Sequence, residues 1–120
     1  MTKAVVKRTI QKNARESKSF VVNCGGVLWP GETIDAVDDE AIVITYADGA
    51  ALDGGDGFAI QGATKNAAQI CEPGETPVPI AEGIQGFFVG GVAGKTYAIA
   101  IPFTTTDGQD LDAEIMIAVV

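Results

Sequence analysis

Gly94-Lys95-Thr96, preceded by Gly90 and Gly91, is the place where this chain has the residue types to hold a phosphate. A phosphate-binding loop needs a glycine five positions before the Gly of Gly-Lys-Thr. It also needs a helix directly after, so that backbone N–H groups and a helix N-terminus face the anion. Here the required position is Val89, and the following Tyr97-Ala98-Ile99-Ala100-Ile101 alternates large and small side chains. Period-two alternation is the mark of a strand with one heavy face. Residues 90–94 therefore read as a turn between two strands.

Other catalytic devices are scarce. The chain has no histidine, which excludes Ser-His-Asp and Cys-His arrangements. Carboxylate pairs could do acid–base work of the glycosidase kind, and Asp38-Asp39-Glu40 and Asp110/Asp112/Glu114 are the candidates. Both groups fall in expected turns or on a strand's outer face and read as solvated surface. The acidic stretch Asp48–Phe58 fails the EF-hand spacing at Ala50 and Leu52. It also ends in Ala59 where a calcium β-roll wants Asp. An adventitious calcium on Asp48, Asp53 and Asp56 is the one metal reading left beside ordinary turn chemistry. Cys24 and Cys71, with no CxxC and no histidine, are too few for a structural zinc and read as buried free thiols. No catalytic residue, cofactor or resident metal is expected.

The elements that must carry these residues are strands. Fifteen glycines in 120 residues separate short β-type runs, which points to an all-β domain. The runs are Ser19–Asn23, Ala41–Tyr46, Phe58–Gln61, Ala67–Cys71, Ile84–Val89, Lys95–Thr106 and Asp112–Val120. Seven or eight strands without a helix predict an immunoglobulin-like β-sandwich, with a small barrel or jelly roll as runner-up. Residues 24–34 read as a glycine-proline corner whose Trp29 plugs the core. Residues 72–83, with three prolines, read as a loop or sheet edge. Pro102 predicts a bulge, or a bond-free edge where the strand changes partners, and Asp107-Gly108 a hairpin turn.

Charge is unevenly placed. Residues 1–18 hold six bases against Glu16 alone, a net +5; the other 102 residues hold two bases against fifteen acids, a net −13. This divides the chain into a basic N-terminal arm, 1–18, and an acidic sandwich domain, 19–120. The arm could be a short strand, an extended segment or a frayed helix. Its Lys3, Lys7, Arg8, Lys12, Arg15 and Lys18 are the candidate partner-binding residues, with an acidic protein or another copy of the chain as partner. The acidic body repels nucleic acid, so no nucleic-acid partner is expected. No apolar run approaches the roughly 18 residues of a membrane helix, and the N-terminus lacks a secretion signal's apolar core. No membrane partner is expected, and synthesis is placed in the cytoplasm.

Two blocks resemble a known family. Gly86–Val120 is similar to the C-terminal half of the bacteriophage fibre-tail adaptor proteins, small virion proteins of the tail and neck. The shared pattern is a Gly-Gly-x-x-Gly turn, then x-Tyr, an alternating strand reaching Thr-Thr and x-Gly, and a last acidic-then-aliphatic strand. It falls here on Gly90, Gly91, Gly94, Tyr97, Thr105, Thr106, Gly108 and Glu114 to Val119. Leu28-Trp29-Pro30-Gly31-Glu32-Thr33-Ile34 resembles the family's corner, with Leu28, Trp29 and Gly31 as its structural residues. The middle of the chain is unmatched, and Asn23-Cys24-Gly25-Gly26 departs from the family's N-terminal half, which is often richer in tryptophan and aspartate. The resemblance implies an immunoglobulin-like, non-enzymatic virion part joining a head-tail adaptor or portal-proximal ring to tail fibres, in about six or twelve copies. The alternatives are a capsid decoration (cement) protein and an Ig-like module binding carbohydrate or a protein partner.

Overall fold

A strand with one heavy face must bury that face against a second layer, and this chain contains several such strands. The computed structural model describes residues 5–72 and 74–120. Eight strands follow in chain order: β1 (Val5–Lys12), β2 (Lys18–Asn23), β3 (Ile34–Val37), β4 (Val43–Tyr46), β5 (Ala59–Lys65), β6 (Gly83–Val89), β7 (Thr96–Thr105) and β8 (Asp110–Val119). Helical structure among the described residues is limited to three short 3-10 turns. The larger sheet has the order β1-β8-β7-β3, with β4 also paired to β7; the smaller is β2-β6-β5. The chain is thus an all-β two-sheet sandwich, as its patterning predicts.

β7 and β8 form the spine. Their antiparallel register runs unbroken from Thr96↔Ala118 to Thr104↔Asp110. Tyr97, Ile99, Ile101, Phe103 and Thr105 point inward from β7, and Leu111, Ala113, Ile115, Ile117 and Val119 from β8. Four rings then bridge the two sheets. Phe20 stacks on Phe88 at 4.4 Å, Phe88 on Phe58 at 5.9 Å, and Phe58 on Tyr97 at 4.1 Å between centroids. Burying each such side chain contributes about 1.5–3 kcal/mol, so this stack is a large share of what holds the layers together.

Pro102 does mark a change of partner. β4 pairs with β7 only as far as Ala100, and β3 takes over from Phe103. The missing N–H of Pro102 falls in the gap, while its carbonyl accepts from Asp38 N at 2.9 Å. A proline inside a central strand is tolerated for that reason.

Three expectations need correction. β3, which starts at the last residue of the corner, was not expected, because only Ile34 of its four residues is fully buried and no alternation shows. Ala67–Cys71 is no strand and contributes only the isolated bridge Ile70↔Val78. Residues 66–82 are held instead by buried Asn66, whose Nδ2 donates to Ala68 O, Val78 O and Pro79 O while Oδ1 accepts from Gly83 N. The basic stretch, finally, supplies sheet. β1 pairs parallel to β8 from Val5↔Asp112 to Lys12↔Val119, and Lys18 opens β2. Of the three forms left open, residues 5–12 adopt the strand. Its inward face, Arg8, Ile10 and Lys12, is two-thirds cationic, which conceals the period in the sequence. Lys3 lies outside the described residues.

Candidate functional site

The Gly90–Gly94 turn carries the chain from β6 in the smaller sheet to β7 in the larger. Gly90 has φ +70°, and a Cβ there would sit 2.0 Å from Gly57 O, so only glycine fits. Gly91 and Gly94 complete the turn, their N–H groups donating to Asp56 O at 3.1 Å and Val119 O at 2.8 Å. Tyr46, at the end of β4, lies opposite Tyr97. The loop after β4 brings the carboxylate of Asp56 to both, and Oδ2 accepts from Tyr97 at 2.7 Å and Tyr46 at 2.8 Å. Lys95 Nζ reaches the same oxygen at 3.2 Å and lies 4.9 Å above the Tyr46 ring.

These donors fix the charges. The Tyr97 hydroxyl, helped by Tyr46 and Lys95, holds the Asp56 carboxyl below its ordinary pKa even though burial pushes it up. Hydrogen bonds to Tyr46 and Asp56 hold Lys95 above its ordinary value. Burial and the neighbouring Asp56 push the Tyr97 phenol up. Lys95, the one lysine placed to meet a phosphate, is thus paired with Asp56 although its side chain is part-exposed. Asp53 and Asp48 accept from the backbone N–H of Gly55 and Ala50, each at 2.9 Å. The three candidate calcium ligands hold separate jobs, and among the described residues no group of three or more His, Cys, Asp or Glu side chains could hold a metal.

The candidate partner-binding cations fare unequally. Lys12 is buried, its ammonium donating to Gly90 O at 2.7 Å and Asn13 O at 2.8 Å; burial lowers its pKa, against a smaller upward pull from Glu16. It ties β1 to the β6–β7 crossover and cannot meet a partner. Arg8 makes a bidentate pair with Glu72, at 2.7 and 2.8 Å, and also donates to Val21 O. Glu72 in turn accepts from Val21 N at 2.7 Å. The pair so caps both backbone groups of Val21, and joins the two sheets at their edge. It holds Arg8 above and Glu72 below their ordinary pKa values. Lys7 and Arg15 are exposed and Lys18 is half-buried, so these three remain available.

Trp29 is the clearest departure. Expected as a core plug, it is 54% exposed, while Leu28 beside it packs against the core. The physical reason lies three residues on. Trp29-Pro30-Gly31-Glu32 is a type II turn, with Gly31 at φ +77° and Glu32 N donating to Trp29 O at 2.9 Å. Glu32 is 4% exposed, and its carboxylate accepts from Trp29 N at 2.8 Å, Gln109 Nε2 at 2.6 Å and Thr105 Oγ1. Burial alone would raise its pKa, but the hydrogen bonds from Thr105, Trp29 N and Gln109 outweigh it and leave the carboxyl below its ordinary value. The carboxylate takes the interior position and the indole is turned out. The sequence pattern Pro-Gly announced the turn; nothing in it announced that the glutamate would go inside.

Gly108 sits in the β7–β8 hairpin, its N–H donating to Thr105 O at 3.0 Å. Cys24 is buried, with its thiol pushed up to about 12 by burial, against a smaller opposing hydrogen bond from Ile84. Cys71 is exposed, contrary to the buried reading, because the segment expected to be a strand is a surface loop; both thiols are free. Among the described residues no helix is long and apolar enough to cross a membrane. Fold and side chains together define a β-sandwich whose buried ionisable groups serve architecture. Comparison with protein-family models, with curated proteins and with solved structures found no match.

Proposed function

We propose that this chain is a non-enzymatic, immunoglobulin-like docking module of a bacteriophage particle, connecting a head-tail adaptor or neck ring to tail fibres. One observation supports a connector above a single-site protein. Large apolar side chains stand in solvent on the outer faces of both sheets, Val43 (57% exposed) on β4 and Phe87 (50%) on β6. Exposed apolar groups on opposite faces suit a part held between two neighbours. The virion placement itself rests on the resemblance of the Gly86–Val120 block, which here forms most of β6, the crossover turn and the β7–β8 spine, and of the Leu28–Ile34 corner. In a symmetric ring each contact can be individually weak, because fixed geometry supplies avidity.

The test is quantitative mass spectrometry of purified particles of the phage that encodes the chain, counted against portal and major capsid proteins. About six to twelve copies match ring symmetry. Hundreds of copies would make the chain a capsid decoration protein, and none would remove it from the virion. A second reading, a soluble recognition module, is favoured by the outward-facing Trp29, and a particle count of zero would promote it.

A further inference from the structure

We propose that the cleft beside Trp29 is a docking site for a basic side chain, arginine or lysine, projecting from a partner protein. The cleft has a volume of about 360 Å³, and Gly25, Trp29, Gly31, Glu32 and Glu82 are among its lining residues. Trp29 is exposed on a fixed backbone: its main-chain N–H and C=O are both engaged by Glu32, which Thr105 and Gln109 hold from behind. A backbone already ordered before the partner arrives loses little freedom on binding. Gly31 leaves the space around it open, since a Cβ there would meet nothing within 4 Å.

Charge selects the ligand. The lining contains two carboxylates and no cation. Glu32 spends its oxygens on internal donors, whereas the Glu82 carboxylate has no partner among the described residues. Thr106 N donates to Thr33 O at 2.9 Å and so ties the Asp107 turn to this end of the molecule. Asp35 follows in β3, and the nearby Lys65 is engaged on the Asp35 carbonyl at 2.8 Å. An aromatic face next to an unpaired carboxylate attracts a cation twice over, through the ring quadrupole and through the charge. A guanidinium can lie on the ring and pair with the carboxylate at once. An aliphatic side chain would strip water from Glu82 without compensation, and an anion would be repelled. A neutral sugar could stack on the ring but would gain nothing from the field. The inference needs only the cleft and stands whether or not the chain belongs to a virion.

Trp29 is the single tryptophan, so the NMR signal of its indole N–H reports this cleft alone. The full chain is titrated with N-acetyl-arginine amide at low salt, with N-acetyl-norleucine amide and N-acetylglucosamine as comparators. A saturable shift is expected with the arginine compound only, and it should fade at high salt. Glu82→Gln should weaken it roughly two- to fivefold with the unfolding midpoint unchanged. No shift up to about 100 mM, where even avidity-supported contacts register, overturns the proposal. So does an equal shift with norleucine, which marks a plain apolar patch, or a shift with the sugar alone. A Glu82→Gln chain that binds arginine as well as the parent would remove the charge argument and the proposal with it.

Discussion

β7 hands one hydroxyl to a buried carboxylate at each end, and the two ends are built differently. At its start Tyr97 donates to Asp56, which also receives Tyr46 and the cation of Lys95. At its finish Thr105 donates to Glu32, whose other partners, Trp29 N and Gln109 Nε2, are neutral. The first knot is closed by backbone packed on backbone: a Cβ added at Gly90 would fall 2.0 Å from Gly57 O. The second opens onto a cleft. A carboxylate buried without a counter-charge is tolerable only if donors surround it, so the Glu32 end depends on every hydrogen bond it has. In return it holds the backbone of an outward-turned tryptophan. The Asp56 knot holds the fold shut; the Glu32 knot holds something out.

Glycine substitutions should break this contrast most visibly. Gly90→Ala must displace the Gly57 backbone and should cost about 3–5 kcal/mol, enough to leave much of the chain unfolded. Gly31→Ala faces only the left-handed backbone penalty in open space, about 1–2 kcal/mol. Urea midpoints of the two variants would show it, and equal losses would mean that the two ends are packed alike. Hydroxyl deletions come next. Thr105→Val should lose about 2–3 kcal/mol and Tyr97→Phe about 1–2 kcal/mol, because Lys95 still compensates Asp56 while nothing cationic compensates Glu32. The reverse order would show that the lysine contributes little.

Much of the spine was legible because β7 and β8 alternate strictly along ten residues each, and their turn carries Asp-Gly. Pro102 could be placed because a residue without an N–H has few positions open to it. Where reading failed, side chains did unusual work. Lys12 and Arg8 point inward, so the inner face of β1 looked like a solvated basic arm. Asn66 substitutes for a ladder and turned an expected strand into a loop. Trp29 and Glu32 exchange the places that hydrophobicity assigns them, because a carboxylate with several convergent donors is stable inside. None of these depends on local period. Most rest on partners far along the chain, as Glu32 on Thr105 and Arg8 on Glu72.

The smallest effect expected is in the acid limb of stability. Both carboxyls have folded pKa values below the ordinary 4.5 of glutamate and 3.8 of aspartate. The unfolded chain therefore binds protons first, and the stability that the two groups confer is complete above the ordinary range and lost as pH falls through the folded values. Salt separates the two contributions. Lys95 is 43% exposed, so its attraction for Asp56 should weaken in about 1 M salt, where the screening length is near 3 Å. The Glu32 share rests on short hydrogen bonds from neutral donors and should not change. Unfolding midpoints measured from pH 7 down to pH 3, with and without salt, should show a partly salt-sensitive acid limb in the parent chain. In Lys95→Met the salt-sensitive part should shrink to what the Arg8–Glu72 pair supplies, leaving a shallower limb shared by Glu32 and the tyrosine-held Asp56; a limb whose salt dependence is unchanged would make Arg8–Glu72 the controlling ion pair.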